Sequence, residues 1–226
     1  MKKFVFPFLI TAATVFLTSS VIRAQEFNPV FSSGLQIGYY DGFSFSGTGS
    51  VSGFAENFPL VVRFGIGYNF PDAGSPELTR KVFINDASNG TPESSASTWD
   101  FRLDLLYSTD LLGMKNTFIY FGPRFAVYNA HFEFIGGNEF YDIGSENFGL
   151  GGGIESHFRM TRNISLIISG GADYYFNSMI GGHDTFYSPD GNHINPREGY
   201  DYQDADESVS QPKIEFRLMT GINYYF

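Results

Sequence analysis

From Lys213 to Phe226 the chain alternates without a break. Ile214, Phe216, Leu218, Thr220, Ile222, Tyr224 and Phe226 share one face of a strand. Lys213, Glu215, Arg217, Met219, Gly221, Asn223 and Tyr225 share the other, because successive strand side chains point to opposite faces. One face is apolar and ends in two aromatics; the other carries opposite charges and a glycine. A period of two with so sharp a contrast demands a sheet whose two surfaces meet different surroundings.

The same period recurs in eight segments, at 33–40, 43–53, 59–70, 99–109, 117–129, 148–161, 164–176 and 212–226. The third is clear: Leu60, Val62, Phe64, Ile66, Tyr68 and Phe70 oppose Val61, Arg63, Gly65, Gly67 and Asn69. The connections at 54–58, 110–116 and 162–163 are short. Those at 71–98, 130–147 and 177–211 are long, and Asp41-Gly42 makes one tight turn on the same side. An up-and-down barrel in a membrane sorts its connections this way, with the long loops outside the cell. An even strand number then puts both termini in the periplasm. In the last loop, Asp190-Gly191 suits a small hairpin between Phe186-Tyr187 and His193-Ile194. The acidic stretch 198–211 is expected to be disordered.

Alternation alone does not say which face is outside, since a soluble ligand-binding barrel keeps its apolar face inward. Three features favour apolar outside. Gly38, Gly65, Gly67, Gly122, Gly149, Gly151, Gly153, Gly171 and Gly221 lie on the polar face. An eight-stranded lumen is only wide enough for packed side chains, so bulk at some positions requires glycine at others. The same face carries Arg63, Arg102, Arg124, Arg159, Lys213 and Arg217 against Asp100, Asp104, Glu155, Asp173 and Glu215. Such charges can fill a narrow core only if they are matched. On the apolar face, Tyr39, Phe43, Tyr68, Phe70, Trp99, Phe148, Tyr174 and Phe176 fall at one membrane edge. Tyr107, Phe158, Tyr224 and Phe226 fall at the other, as aromatic girdles do. Pro123 lies inside the fifth strand, where a closed barrel offers no edge, so a bulge or a missing ladder bond is expected there.

The start of the chain agrees. Lys2 and Lys3 precede an apolar run from Phe4 to Leu17, too short to span a bilayer as a helix. Residues 1–24 are read as a signal peptide cut after Ala24, and 25–226 as one barrel domain. Cleavage removes Lys2, Lys3 and Arg23 and deepens the net charge from −10 to about −13. That acidity opposes nucleic-acid binding. The absence of cysteine excludes disulfides and lipidation at an N-terminal Cys.

These residues resemble the small outer-membrane barrel superfamily that includes the OmpX- and OmpA-type domains. The likeness spans essentially the whole mature chain as a pattern. Gly221, Tyr224 and Phe226 resemble the terminal signal read by the barrel assembly machinery, although Met219 stands where that signal usually has a polar residue. The resemblance implies an all-β, eight-stranded antiparallel transmembrane barrel in the outer membrane of a Gram-negative cell. No peptidoglycan-binding domain is expected after Phe226, so cell-wall anchoring is not carried over.

Some barrels of this size are enzymes acting on lipid A, which would need a nucleophile or acid within reach of a base. Ser156 and His157 are adjacent but point to opposite faces, Ser156 toward lipid. Glu155 and His157 share the lumen face and read as members of the core network. His131 and Glu133 share a face near the outer rim with no serine or threonine close by. His183, Asp184, Asp190 and His193 cluster in the last loop without a recognised metal-loop spacing. No catalytic, cofactor-binding or metal residue is therefore assigned, and no cofactor is expected. Eight strands leave no wide pore. The expected partners are outer-membrane lipid and lipopolysaccharide, the assembly machinery, and an extracellular partner met by the loops. Rival roles are a lipid A-modifying enzyme and a component of a secretion or envelope complex.

Overall fold

A computed structural model describes residues 29–56, 58–110 and 116–226. The expected signal peptide lies outside them, as do parts of two short turns. Eight long strands run antiparallel: β1 (Val30–Tyr40), β2 (Phe43–Ser52), β3 (Leu60–Phe70), β4 (Thr91–Thr109), β5 (Thr117–Ile135), β6 (Glu139–Arg159), β7 (Ile164–Tyr175) and β10 (Ile214–Tyr225). Each pairs with its neighbour in sequence. β10 pairs back onto β1, with Leu35 opposite Ile222 and Gln36 opposite Gly221, and this closes the barrel.

The two faces of β10 separate as the alternation predicts. Glu215, Arg217, Met219 and Asn223 are buried, while Ile214, Phe216, Leu218, Ile222 and Tyr224 are exposed. Apolar exposure is concentrated on the outer wall: Leu35 is 75 % exposed, Phe216 68 % and Phe121 59 %. Contact with water would cost about 25 cal/mol for each Å² of such surface, so the belt needs an apolar surround. Of the aromatics expected at its two edges, Tyr68 is half-buried and the others are exposed.

The tight turn at Asp41-Gly42 forms as read, with φ of 48° and 118°, positive values that glycine and aspartate tolerate better than most residues. Pro123 costs ladder bonds but inserts no residue. β4 and β5 pair at Arg102–Arg124 and again at Leu105–Phe121 in the same register, and the pairs between are missing. Pro123 lacks the N–H that Leu103 would accept. A Cβ at Gly122 would overlap the Leu103 carbonyl, so the strands approach closely there.

Three strands run past their expected outer ends. Residues 91–98 extend β4. Residues 130–147, read as a loop, are instead the ends of β5 and β6 around a turn at 136–138. Two helices and a small hairpin pack over these extensions: α1 (Pro76–Phe83), β8 (Ile180–Gly182), β9 (Thr185–Tyr187) and α2 (Tyr202–Ser208). Ser75 caps α1 through the Leu78 amide, with Pro76 at its first position. The expected disorder at 198–211 is replaced by α2. Asp201 accepts from the Gln203 and Asp204 amides, and Asp204 returns a bond to the Asp201 amide. Local capping of this kind offsets the charge that argued for disorder. The small hairpin exists in part: Phe186 and Ile194 bridge as expected, while the strand beside β9 on its other edge is β8.

Candidate functional site

The molecule offers two interiors stacked along the barrel axis. The first is the lumen inside the apolar belt, built by inward residues of all eight strands. Arg63 pairs with Asp104 at 3.0 Å and also with Glu155. Arg124 reaches Asp104 and Asp173, each at 2.8 Å. Arg102 pairs with Asp100, whose other oxygen accepts from Tyr175 Oη at 3.0 Å. Tyr175 and Tyr40 share a 2.6 Å bond. Arg217 donates to Tyr120 Oη at 2.7 Å, and both Arg63 and Arg217 lie over the Tyr120 ring. Each guanidinium thus meets a polar partner, from its own strand for Arg102, from a neighbouring strand for Arg63 and Arg124 on Asp104, and from across the lumen for Arg63 on Glu155 and Arg124 on Asp173, the condition under which charges can be buried at all.

The glycines on the same face make the room. A Cβ at Gly151 would occupy the Asp173 carboxylate, and one at Gly153 or Gly171 would strike Tyr120 Oη. Three residues expected in this network leave it. Arg159 is exposed and donates to the Thr161 and Arg162 carbonyls at a turn. Lys213 pairs with Asp206 at 2.9 Å in the loop above. Glu215 is buried but accepts from the Lys213 amide and meets no guanidinium. All three lie at or just outside strand ends, where alternation still assigns a face but the side chain is beyond the lumen's ion pairs.

Glu155 and His157 share the lumen as read. His157 Nε2 lies 2.7 Å from Glu155, and its Nδ1 lies 2.6 Å from Tyr225 Oη. Ser156 lies on the opposite, outward face as read but is not open to lipid. It is buried, with its Oγ 2.9 Å from Thr117 Oγ1 across the β5–β6 ladder. A cavity of about 210 Å³ enters from the short-turn end, between Ser32, Thr48 and Ser50 on one wall and Tyr225 and His157 on the other. The Arg63–Glu155 pair forms part of its lining.

The second interior lies beyond the belt, under the helices, and its chemistry is reversed. Val82, Phe132, Ile143, Ile180, Tyr187 and Ala205 are fully buried. Phe132 stacks on Tyr141 at 5.4 Å and Phe83 meets Tyr187 edge-on at 5.3 Å. Tyr187 Oη donates to the Val82 carbonyl at 2.8 Å and Tyr128 Oη to that of Ala73 at 3.0 Å. Burial raises the Tyr187 phenol above its ordinary pKa, which keeps it a neutral donor. The loops are tied to each other by Thr79 Oγ1 and the Ser75 amide, which both donate to the Ser208 carbonyl at 2.9 Å.

One strand shows the reversal directly. Along β5 the inward side chains run Tyr120, Arg124, then Ala126, Tyr128, Ala130, Phe132 and Phe134, all buried. The outward ones run Ile119, Phe121, Phe125, Val127, then Asn129, His131 and Glu133, with exposed Ile135 at the tip. The inside turns from charged to apolar where the outside turns from apolar to polar. Sequence reasoning that required an apolar outer face missed this cap. Its signal was nevertheless present in the unbroken spacing of Ala130, Phe132 and Phe134.

The loop and rim residues do not assemble as a reaction centre. His131 Nδ1 meets Asp142 at 2.7 Å across β5–β6, not Glu133. His193 Nδ1 accepts from the Ser188 amide at 3.1 Å, Asp190 binds Asn192, and His183 lies 3.8 Å from Asp184. Among the described residues, no three His, Cys, Asp or Glu side chains are grouped to hold a metal ion.

No family model and no curated relative matches the sequence. Solved structures do. A major outer membrane protein from Thermus thermophilus aligns with a TM-score of 0.69 and 24 % identity, over 88 % of this chain and all of that one. Acinetobacter baumannii CarO2 aligns over 89 % of this chain and all of that one, at 14 % identity and a TM-score of 0.41. The N-terminal barrel domain of Pseudomonas aeruginosa OprF gives 89 %, all, 12 % and 0.42. With the closed eight-stranded sheet and its apolar belt, the Thermus likeness shows that this chain has the fold of an outer-membrane β-barrel protein.

Proposed function

We propose that the chain is an integral outer-membrane barrel that does not conduct and whose role is exercised at the cell surface by its cap. The observation that carries this reading is the polarity reversal along β5. Inside the belt the lumen is filled by ion pairs; beyond it, the lumen's mouth is covered by an apolar core. Loop-borne surfaces on a rigid scaffold commonly carry recognition. The lumen residues that resemble acid–base groups are bonded to each other and away from the lipid surface, which favours this reading over a lipid-modifying enzyme.

Purified protein in a planar bilayer tests it. No step of porin size is expected at neutral pH, and a stable ohmic conductance would overturn the proposal. Assembly through the terminal strand belongs to the same reading. Deleting Phe226, whose amide bonds the Phe31 carbonyl at 3.1 Å, should lower the outer-membrane level in cells; an unchanged level would refute that role.

A further inference from the structure

β4 is longer than the strand beside it. β3 pairs with β4 only as far as Asn69 opposite Thr98, whereas β4 continues outward to Thr91 with β5 alone as its partner. Residues 91–95 are exposed on both faces. The free side can be assigned group by group. The Leu103 carbonyl aims at β5, since a Cβ at Gly122 would overlap it. Backbone groups alternate sides along a strand, and the register between 91 and 102 is unbroken. Odd residues of β4 therefore bond β5, and the N–H and C=O of Ser94 and Ala96 point away, together with the Pro92 carbonyl. Among the described residues none of these groups has a hydrogen-bond partner; Ser94 is exposed, and Ala96 is half-buried against the apolar cap. An edge of this kind is a template for an added strand.

The outer face of the same sheet says what kind of strand. Glu93 stands directly opposite Glu133, both exposed. Like charges in that position destabilise a strand pair. Asp142 and Glu146 lie on the same face, where the basic side chain is His131, already on Asp142. Of the cap's cations, Arg80, Arg197 and Lys213 are each paired with a carboxylate elsewhere in the cap, and Lys81 is exposed on α1. A lysine or arginine carried on an incoming strand would lie beside Glu93 and relieve the repulsion. A second copy of this chain fits poorly. Two barrels in one membrane are related by an axis along the membrane normal, so their β4 edges would run in the same direction, splayed apart by the strand tilt, with acid facing acid.

We propose that the Ser94–Ala96 edge of β4 captures an extended cationic peptide segment by strand addition, with a basic side chain seated against Glu93 and Glu133. The inference rests on the surface role proposed above and names its partner class. The test uses the full chain in nanodiscs and three synthetic seven-residue peptides. One alternates Lys and Val, one is the same peptide N-methylated at alternate residues, and one alternates Glu and Val. The Lys-Val peptide should bind and slow hydrogen exchange at the Ser94 and Ala96 amides. N-methylation, which removes the backbone donors, should weaken binding about tenfold or more. Glu93→Gln with Glu133→Gln should weaken it while leaving the fold intact, and the Glu-Val peptide should not bind. Equal binding of the methylated peptide would overturn strand addition, and so would absence of binding by the Lys-Val peptide. In either case a silent planar bilayer would leave the sealed-barrel reading standing, whereas conductance would remove that reading by itself.

Discussion

The lumen and the cap are built on the same strands and obey opposite rules. Around Arg124 the inside of β5 is ionic and the outside apolar; around Phe132 the inside is apolar and the outside polar. The difference lies in what covers the outer wall. Within the belt, burial of the outward side chains supplies the apolar contribution, so the interior has only to be filled and its charges matched. Beyond the belt the outer wall meets water, and the cap must bury apolar surface inward to remain folded. A barrel strand that crosses this boundary has to exchange its two faces.

The comparison breaks most readily in the lumen. Arg124→Ala leaves Asp104 and Asp173 without their shared cation, and should cost about 3–5 kcal/mol of barrel stability. Urea unfolding in detergent, followed by the gel shift between folded and boiled protein, measures it. If Asp173→Asn, which neutralises the carboxylate paired with Arg124, recovers nothing when added to that variant, charge matching is not what governs the lumen. A cap variant should behave differently. Phe132→Ala removes a fully buried ring and should cost about 3–5 kcal/mol, but locally: loop 176–213 should become sensitive to protease while the gel shift persists. Equal loss of the whole barrel would show that cap and lumen form one cooperative unit.

Two smaller changes sharpen the boundary. Asp201→Ala removes the N-cap of α2 and should cost about 1 kcal/mol, seen as faster hydrogen exchange at 202–208 without change in the lumen. Asp41, in the tight turn, titrates above its ordinary value because it is partly buried and lies near Asp72. A carboxyl raised in the folded state loses stability as pH climbs past its unfolded value near 4. Asp41→Asn should flatten the fall in stability as pH rises above about 4, with the smallest effect of the four. A fall as steep as in the parent would assign that slope to another group.

What was legible in the sequence and what was not divide along the same line. The belt was legible because its alternation is strong and its apolar face is continuous, as in Leu60 to Phe70 and Ile214 to Phe226. Its edges were legible from aromatics, and its lumen from glycines facing charges. The outer thirds of β5 and β6 were not, because there the apolar residues sit on the face that a membrane barrel turns inward. Residues 91–98 carry almost no apolar signal and become a strand because β5 pairs with them. The helix at 202–208 was hidden by its acidity, although Asp201 and Asp204 held the capping pattern.

By itself the sequence determined the eight strands within the belt, the sense of each face there, the closing role of the last strand and the acidic balance. These follow from a period of two, which needs only neighbours along the chain. The tertiary structure alone decided which charges meet. Arg63 finds Glu155 across 92 positions and Arg124 finds Asp173 across 49, while Arg159 and Lys213, on the same nominal face, pair elsewhere. It alone decided that segments near 80, 130, 187 and 205 share one apolar core, and that β4 outruns β3 to leave an open edge. Those outcomes depend on register and closure, which bring together residues that no local pattern relates.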